Sequence, residues 1–238
     1  MARLRVTSRA LGTPALAWAG AHAHHLALIA VTAVGLLLRF YQLGDESYWF
    51  DEIYTLYDAG LGVGRDWTRV TLSLSNTGYI ALAAAWIRVV GTGEAATRAL
   101  SALCGTGCLV VMYRLGREWV DRRTGVLAMA LMAVSEFQIH YAQDLRFYTP
   151  LLLVSLLSFL YFRRAVRGGG VGAHLLYALF ALLGVYTHTH AMFSLLAQGL
   201  YYALRWPAVG GEARRRLGLT LGAVALGTLP VLAVAARA

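Results

Sequence analysis

Long apolar runs, separated by short arginine-rich linkers, constrain the fold of this chain more than any other feature. Of its 238 residues 58% are hydrophobic, and the mean hydropathy is +0.58. A transmembrane helix needs about 20 predominantly apolar residues, and several runs approach that length. The sequence therefore predicts an all-α integral membrane protein, a polytopic helical bundle, and excludes an ordinary soluble domain.

One apolar segment is too short to cross a bilayer. Segment 78–90 has 13 residues and contains Trp86 and Arg88. If it does not cross and the N-terminus is cytoplasmic, the later arginine clusters all fall on the cytoplasmic side, as the positive-inside rule requires. We therefore expect about seven transmembrane helices, with 78–90 as an interfacial helix in the first outer loop. The expected spans are 22–42, 97–115, 124–141, 147–163, 172–187, 191–206 and 217–236.

The whole chain, 1–238, is interpreted as a single transmembrane module. It consists of a first span at 22–42, an outer loop at 43–96 and the remaining spans at 97–236. The sequence stops just after the last apolar segment, which suggests a C-terminal truncation or a fragment of a longer enzyme. All 21 basic residues are arginine and the net charge is +9. The positive-inside rule accounts for this charge, so nucleic acid is not expected as a partner, whereas membrane lipids are.

The predicted topology brings the unusual polar clusters to one side of the membrane. They are the loop with Asp51 and Glu52, the turn at 140–146 and the turn at 187–190. We expect a multi-pass protein of the cell membrane with its N-terminus in the cytoplasm and its active site on the outer face.

Two adjacent carboxylates, Asp51 and Glu52, follow an aromatic stretch beside the bilayer, where acidic residues are costly unless solvated or functional. The alternative is a solvated loop with interfacial aromatic residues. A carboxylate can take a proton from an attacking hydroxyl or help to hold a divalent cation. An arginine such as Arg146 can bind a departing phosphate in bidentate fashion. One base and one cationic clamp suffice for an inverting displacement at a sugar carbon, and no second carboxylic acid is needed.

Other candidates have structural alternatives that the sequence leaves open. Asp144 and Arg146 can simply pair with each other at a helix boundary. His188 and His190 can be metal ligands, substrate contacts or interfacial residues. Tyr148 can be a packing aromatic or can stack on a sugar.

Four stretches together resemble a known enzyme family. They are Leu43-Gly44 with Ser47–Glu52, the stretch 91–103 around Arg98, Tyr141–Tyr148, and Gly184–His188. They are similar to the type C fold glycosyltransferases that use polyprenyl-phosphate sugars, namely glycosyltransferase family 39 with the protein O-mannosyltransferases, and the related aminoarabinose transferases. Where family members carry a His-Pro-Pro-Leu-like stretch before the interfacial helix, this chain has Asn76-Thr77-Gly78-Tyr79.

The resemblance implies that Asp51 is the catalytic base, with Glu52 supporting it or a cation. It also implies that a polyprenyl-phosphate-linked sugar binds near Asp144 and Arg146. The remaining substrate-binding candidates are Tyr148, Arg98 and His188, with Arg65 a further one. The implied reaction moves a sugar to a lipid, glycan or protein acceptor. No metal ligand set is assigned, and a divalent cation stays open as a cofactor. The alternative is a non-catalytic fragment, transporter or accessory protein that binds lipid-linked sugars.

Overall fold

A computed structural model of the chain describes residues 14–61, 76–206 and 210–235. Within these ranges all the regular structure is helical, as the apolar runs predict. Arg65 and the N-terminal arginines at 3, 5 and 9 lie outside the described residues. The α-helices are α1 (Pro14–Phe40), α2 (Phe50–Leu56), α3 (Thr77–Val90), α4 (Glu94–Trp119), α5 (Arg122–Ala133), α6 (Glu136–Ala142), α7 (Tyr148–Val166), α8 (Val171–Thr187), α9 (Ala191–Arg205) and α10 (Gly211–Ala235). A π-helical turn, Tyr57–Leu61, follows α2.

Four helices are long and apolar enough to cross a membrane: part of α1 (Ala23–Phe40), α4, α7 and most of α10 (Gly211–Ala233). The pair α5 and α6, bent by 63° at a short break, makes a fifth candidate. Helices α8 and α9 have 17 and 15 residues, below the usual length of a span. The chain is therefore a helical membrane protein, and the expected number of seven spans stays a prediction.

Local sequence signals set the ends of several helices. Helix α3 ends before Gly91, whose φ of 87° favours a residue without Cβ, and α4 begins three residues later at Glu94. Helix α5 begins after Asp121, whose carboxylate accepts a hydrogen bond from the Thr124 amide at 2.7 Å. These ends place α3 beside α4 and α5 antiparallel to α4.

The break between α5 and α6 is stabilised by a buried arginine from α1. Arg39 is fully buried and donates hydrogen bonds to the carbonyls of Met132 and Ala133, the orphan acceptors at the end of α5. In the opposite direction, the Gln143 side chain donates to the Tyr41 carbonyl at 2.8 Å, just after α1. Arg39 of α1 thus caps the end of α5, and Gln143 fixes the segment that follows α6 against the end of α1.

The interfacial-helix candidate α3 packs closely on the C-terminal end of α8. A Cβ on Gly78 would lie 2.7 Å from the Tyr186 carbonyl oxygen, so only glycine allows this approach. One face of α3 is buried: Tyr79, Ile80, Ala83, Ala84 and Ile87. The N-terminal end of α3 is therefore held against the C-terminal end of α8, just before the turn at 187–190.

Candidate active site

The segment between α6 and α7 contacts α2 through Arg146. Its guanidinium lies 3.4 Å from Asp51 Oδ2, and it donates hydrogen bonds to the Asp51 carbonyl at 3.0 Å and to Thr55 Oγ1 at 3.3 Å. The Asp51 side chain is 35% exposed and that of Arg146 is 16% exposed. The carboxylate predicted as base and the arginine predicted as phosphate ligand are therefore direct neighbours within reach of solvent. The alternative pairing of Asp144 with Arg146 is not the one seen.

Glu52 has the opposite environment, because it is fully buried against Arg98 of α4. Arg98 donates from Nε to Glu52 Oε1 at 2.8 Å and from Nη2 to Oε2 at 2.7 Å, a bidentate pair. Its other hydrogen bonds go to backbone carbonyls of the first loop, at Leu43, Glu46 and Ser47. These five bonds occupy the five N–H donors that a guanidinium possesses.

Glu52 also reaches the segment after α6. Its Oε1 accepts a hydrogen bond of 2.7 Å from the amide of Leu145, the residue before Arg146. Its Oε2 accepts one of 3.3 Å from the Trp49 amide at the start of α2. A single buried carboxylate thus joins α2, α4 and the segment between α6 and α7. The neighbouring residues Asp51 and Arg146 are positioned through it.

The turn at 187–190, between α8 and α9, joins the same site through an aromatic stack. The His188 ring lies 4.0 Å from the Phe147 ring at an angle of 17°, and the Arg146 guanidinium lies 5.4 Å from the centre of that same ring. Burial, together with the nearby charges of His190 and Arg146, lowers the pKa of His188 to about 4. His188 is therefore neutral at pH 7, beside the arginine but without a charge of its own.

Asp144 lies on the other side of the buried pair and lines a cavity of about 700 Å³. Its side chain is 13% exposed and lies 4.0 Å from His140 Nε2. Burial raises the pKa of the Asp144 carboxyl above its usual value, with the partial opposition of His140. Polar groups that share the cavity include Asp45, Glu46, Ser47, Arg98, His140 and Gln143.

Tyr148, at the start of α7, lines a second and more apolar cavity of about 380 Å³. Its ring packs 4.4 Å from that of Tyr141 and 4.6 Å from that of Phe147. The remaining lining includes Phe137, Leu151, Leu152 and His190. The segment 143–148 therefore separates a polar cavity, which holds Asp144, from an aromatic one, which holds Tyr148.

One site residue was not singled out from the sequence. Tyr79 of α3 is 1% exposed, packs edge-on against Phe147 and has a buried hydroxyl without a hydrogen-bond partner in the described part of the chain. The same holds for the Nε atom of Arg146. The sequence signal that could have found Tyr79 was its place in the stretch Asn76-Thr77-Gly78-Tyr79. This stretch stands where the resembling family carries a His-Pro-Pro-Leu-like pattern.

Acidic and histidine side chains do not form an evident metal centre in the ranges 14–61, 76–206 and 210–235. No group of three or more His, Cys, Asp or Glu residues with suitable geometry is found there. Asp51 is held by an arginine, and Glu52 is enclosed by Arg98 and Leu145. The described residues thus offer carboxylates for proton transfer, while a divalent cation stays an open prediction.

A helical membrane protein with a carboxylate–arginine pair at one end of its bundle fits an enzyme that acts on a half-lipid, half-polar substrate. Residues 77–234 match the family described as dolichyl-phosphate-mannose-protein mannosyltransferase. The chain therefore belongs to this family of mannosyltransferase-like membrane glycosyltransferases, which confirms the resemblance to glycosyltransferase family 39. The match includes Arg98, Asp144, Arg146, Tyr148 and His188, whereas Asp51 and Glu52 precede it. No curated protein matches the chain.

Proposed function

We propose that this protein transfers a sugar from a polyprenyl-phosphate carrier to a hydroxyl of a lipid, glycan or protein acceptor. The observation that carries the proposal is the partly exposed pair of Asp51 and Arg146, 3.4 Å apart. The family description names dolichyl-phosphate-mannose, so mannose is the first sugar to test. The arginine clusters favour a cytoplasmic N-terminus and an active site on the outer face of the cell membrane.

The proposed reaction is a single inverting displacement. The Asp51 carboxylate takes the proton of the acceptor hydroxyl as the acceptor oxygen forms a bond to the anomeric carbon. The bond from that carbon to the phosphate oxygen breaks, and the polyprenyl phosphate leaves with the electron pair. Arg146 stabilises the negative charge that develops on the phosphate. No proton donor to the leaving group is required, because phosphate leaves as an anion.

Arg146 is suited to this task by its donors. Its Nε is buried and has no hydrogen-bond partner among the described residues, and one Nη nitrogen faces Asp51. A donor phosphate that binds this guanidinium competes with the Asp51 carboxylate for it. Binding of the donor would therefore release the base for proton transfer, which couples the two halves of the reaction.

The other predicted residues receive separate roles. Glu52 and Arg98 position Asp51 and Arg146, because the donors of Arg98 are already occupied and Glu52 is enclosed. Asp144 contacts the polar part of a substrate in the 700 Å³ cavity. Tyr148 contacts the polyprenyl chain in the apolar cavity, and neutral His188 supports Arg146 through the ring of Phe147.

The test is sugar transfer in liposomes from a panel of radiolabelled polyprenyl-phosphate sugars, with wild type and Asp51→Asn compared. We expect transfer by wild type, with an inverted anomeric configuration in the product, and loss of transfer with donor binding retained in the variant. Donor binding without turnover by wild type would favour the alternative of a binding or accessory module. Absence of both binding and transfer, for every sugar of the panel, would contradict the proposal.

A further inference from the structure

A second polar cavity lies at the opposite end of the bundle from Asp51. It has a volume of about 440 Å³ and is lined by Arg163 of α7, Arg167 of the following turn and Arg205 at the end of α9. Arg163 of α7 and Arg167 just after it follow Tyr148 in the chain, so this cavity lies about 22–28 Å along the helix axis from Tyr148. It is therefore at the other membrane surface and is separate from the proposed sugar-transfer site.

The three arginines of this cavity carry charge that the nearby carboxylates do not balance. Glu118 pairs with Arg164, and Glu212 pairs with Arg215 and Arg216. No carboxylate is among the cavity's lining residues, and no salt bridge in the described ranges involves its three arginines. Like charges so close together raise the energy of the empty cavity, and an anion in it would relieve that repulsion.

Two of the three arginines contact neutral groups rather than carboxylates. Arg163 donates to the Glu118 carbonyl and stacks 4.8 Å from the ring centre of Trp119, while its Nε is buried without a hydrogen-bond partner in the described residues. Arg205 lies 5.9 Å from the ring centre of Tyr201. The guanidinium of Arg163 is thus held by aromatic and backbone contacts rather than by a neutralising charge.

A helix N-terminus adds to the positive potential of the cavity. Helix α10 begins at Gly211, and Gly210 and Ala213 line the cavity beside the arginines. Amide groups of a first helical turn have no intrahelical acceptor and attract anions. Guanidinium forks together with backbone amides are the donor set that suits the several oxygens of a phosphate.

We propose that this cavity binds a phosphate group, most simply the headgroup of an anionic membrane lipid. Basic cavities between helices at a membrane surface are suited to such headgroups, because the acyl chains stay in the bilayer while the phosphate enters the protein. Free inorganic phosphate has the same chemistry and is the other source. The proposal concerns a site separate from sugar transfer and does not depend on that activity.

The experiment measures lipid binding by the full chain in detergent, with native mass spectrometry over a titration of phosphatidylglycerol or, as the neutral comparison, phosphatidylcholine. The cavity variant is Arg167→Gln with Arg205→Gln. The matched control is Arg215→Gln with Arg216→Gln, which removes the same charge from the same surface but lies outside the cavity. A parallel titration with inorganic phosphate tests whether the free ion displaces the lipid.

We expect the apparent affinity for phosphatidylglycerol to fall about 25-fold in the cavity variant, from about fivefold for each arginine, and to change little in the control. Displacement by millimolar phosphate would identify the free ion as a ligand of the same site, and resistance to it would identify the lipid headgroup. Equal losses in both double variants, or no loss in either, would overturn the proposal. If the cavity variant is not folded, the single variant Arg205→Gln, at an exposed side chain, replaces it in the same titration. We then expect its apparent affinity for phosphatidylglycerol to fall about fivefold.

Discussion

Asp51 and Glu52 are consecutive in the chain but lie in opposite environments: Asp51 is partly exposed beside Arg146, and Glu52 is fully buried in a bidentate pair with Arg98. Both belong to the first turn of α2, whose geometry turns successive side chains about 100° apart. The two carboxylates therefore have different chemical roles, one open to a substrate and the other internal to the fold.

The buried pair of Glu52 and Arg98 predicts a large loss of stability when either residue alone is substituted. Glu52→Gln leaves the Arg98 charge buried without its counter-charge, and we expect a loss of about 3–5 kcal/mol in the free energy of unfolding. Asp51→Asn breaks a partly exposed pair and should cost less than about 1 kcal/mol. Denaturant titration of the two variants in the same detergent measures this difference. Equal losses would show that the two carboxylates are not distinguished by burial.

Arg146→Lys tests the phosphate contact without a change of net charge. Lysine keeps a cation near Asp51 but lacks the planar fork that binds phosphate in bidentate fashion. We expect kcat to fall by about 100-fold or more, as when a transition-state donor is removed, with little change in thermal stability. Arg114→Lys, at the far end of α4, is the matched control. A rate within a few-fold of wild type for Arg146→Lys would exclude Arg146 as the phosphate ligand.

The raised pKa of Asp144 predicts a pH-dependent gain in stability for Asp144→Asn. Burial makes the ionised form of this carboxyl costly, so the wild-type protein binds its proton at higher pH than the unfolded chain does. The neutral amide removes that cost, and the variant should be the more stable protein at pH 7. The difference should shrink as pH falls and the wild-type carboxyl becomes protonated. Thermal unfolding of the two ligand-free proteins between pH 4 and 8 measures this difference in stability. A difference that grows as pH falls would contradict a raised pKa of Asp144.

His188 predicts the opposite response of stability to pH. Because its pKa in the folded protein is about 4, the folded state does not take up the proton that the unfolded chain binds near pH 6.5. The contribution of neutral His188 to the stability of the folded state is therefore complete above about pH 6.5 and is lost as pH falls toward 4. His188→Gln does not titrate, so its unfolding temperature should vary less with pH over this window. Parallel curves for the two proteins would contradict a partly buried, neutral His188.

Gly78 predicts that the contact between α3 and α8 depends on the absence of a side chain. Gly78→Ala places a Cβ 2.7 Å from the Tyr186 carbonyl oxygen, and the forced shift should cost about 1–3 kcal/mol. Gly172→Ala is the matched control, because a Cβ there meets nothing within 4 Å. Thermal unfolding compares them. A loss no larger than that of the control would show that α3 can move away from α8 at little cost.

Helix positions could be predicted from the sequence because apolar runs and their breaks are local. Segment 78–90 corresponds to Thr77–Val90, and segment 147–163 to Tyr148–Val166. The bend between α5 and α6 could not be predicted, because the groups that stabilise it come from Arg39, more than 90 residues earlier in the chain. The apolar pattern of 124–141 continues across that bend without a change.

In the candidate site, too, local features could be predicted from the sequence and long-range contacts could not. Its segments could be gathered on one face from charge and topology, and the residue types indicated a base and a phosphate ligand. The partners could not be predicted, since Asp51 pairs with Arg146 and Glu52 with Arg98 across 95 and 46 residues of sequence. Adjacent carboxylates look equivalent in a sequence, and only the pairing of Glu52 with Arg98 of α4, and of Asp51 with Arg146, separates them.

The most direct test of the account is the rate of sugar transfer by Asp51→Asn, with donor binding measured on the same preparation. Glu136→Gln, at an exposed carboxylate in the first turn of α6, serves as the control. We predict that Asp51→Asn binds the polyprenyl-phosphate sugar at least as well as wild type but transfers it about 100- to 10,000-fold more slowly, the usual contribution of a general base. Transfer by Asp51→Asn at the rate of wild type and of the control would contradict the central claim that Asp51 takes the proton of the acceptor.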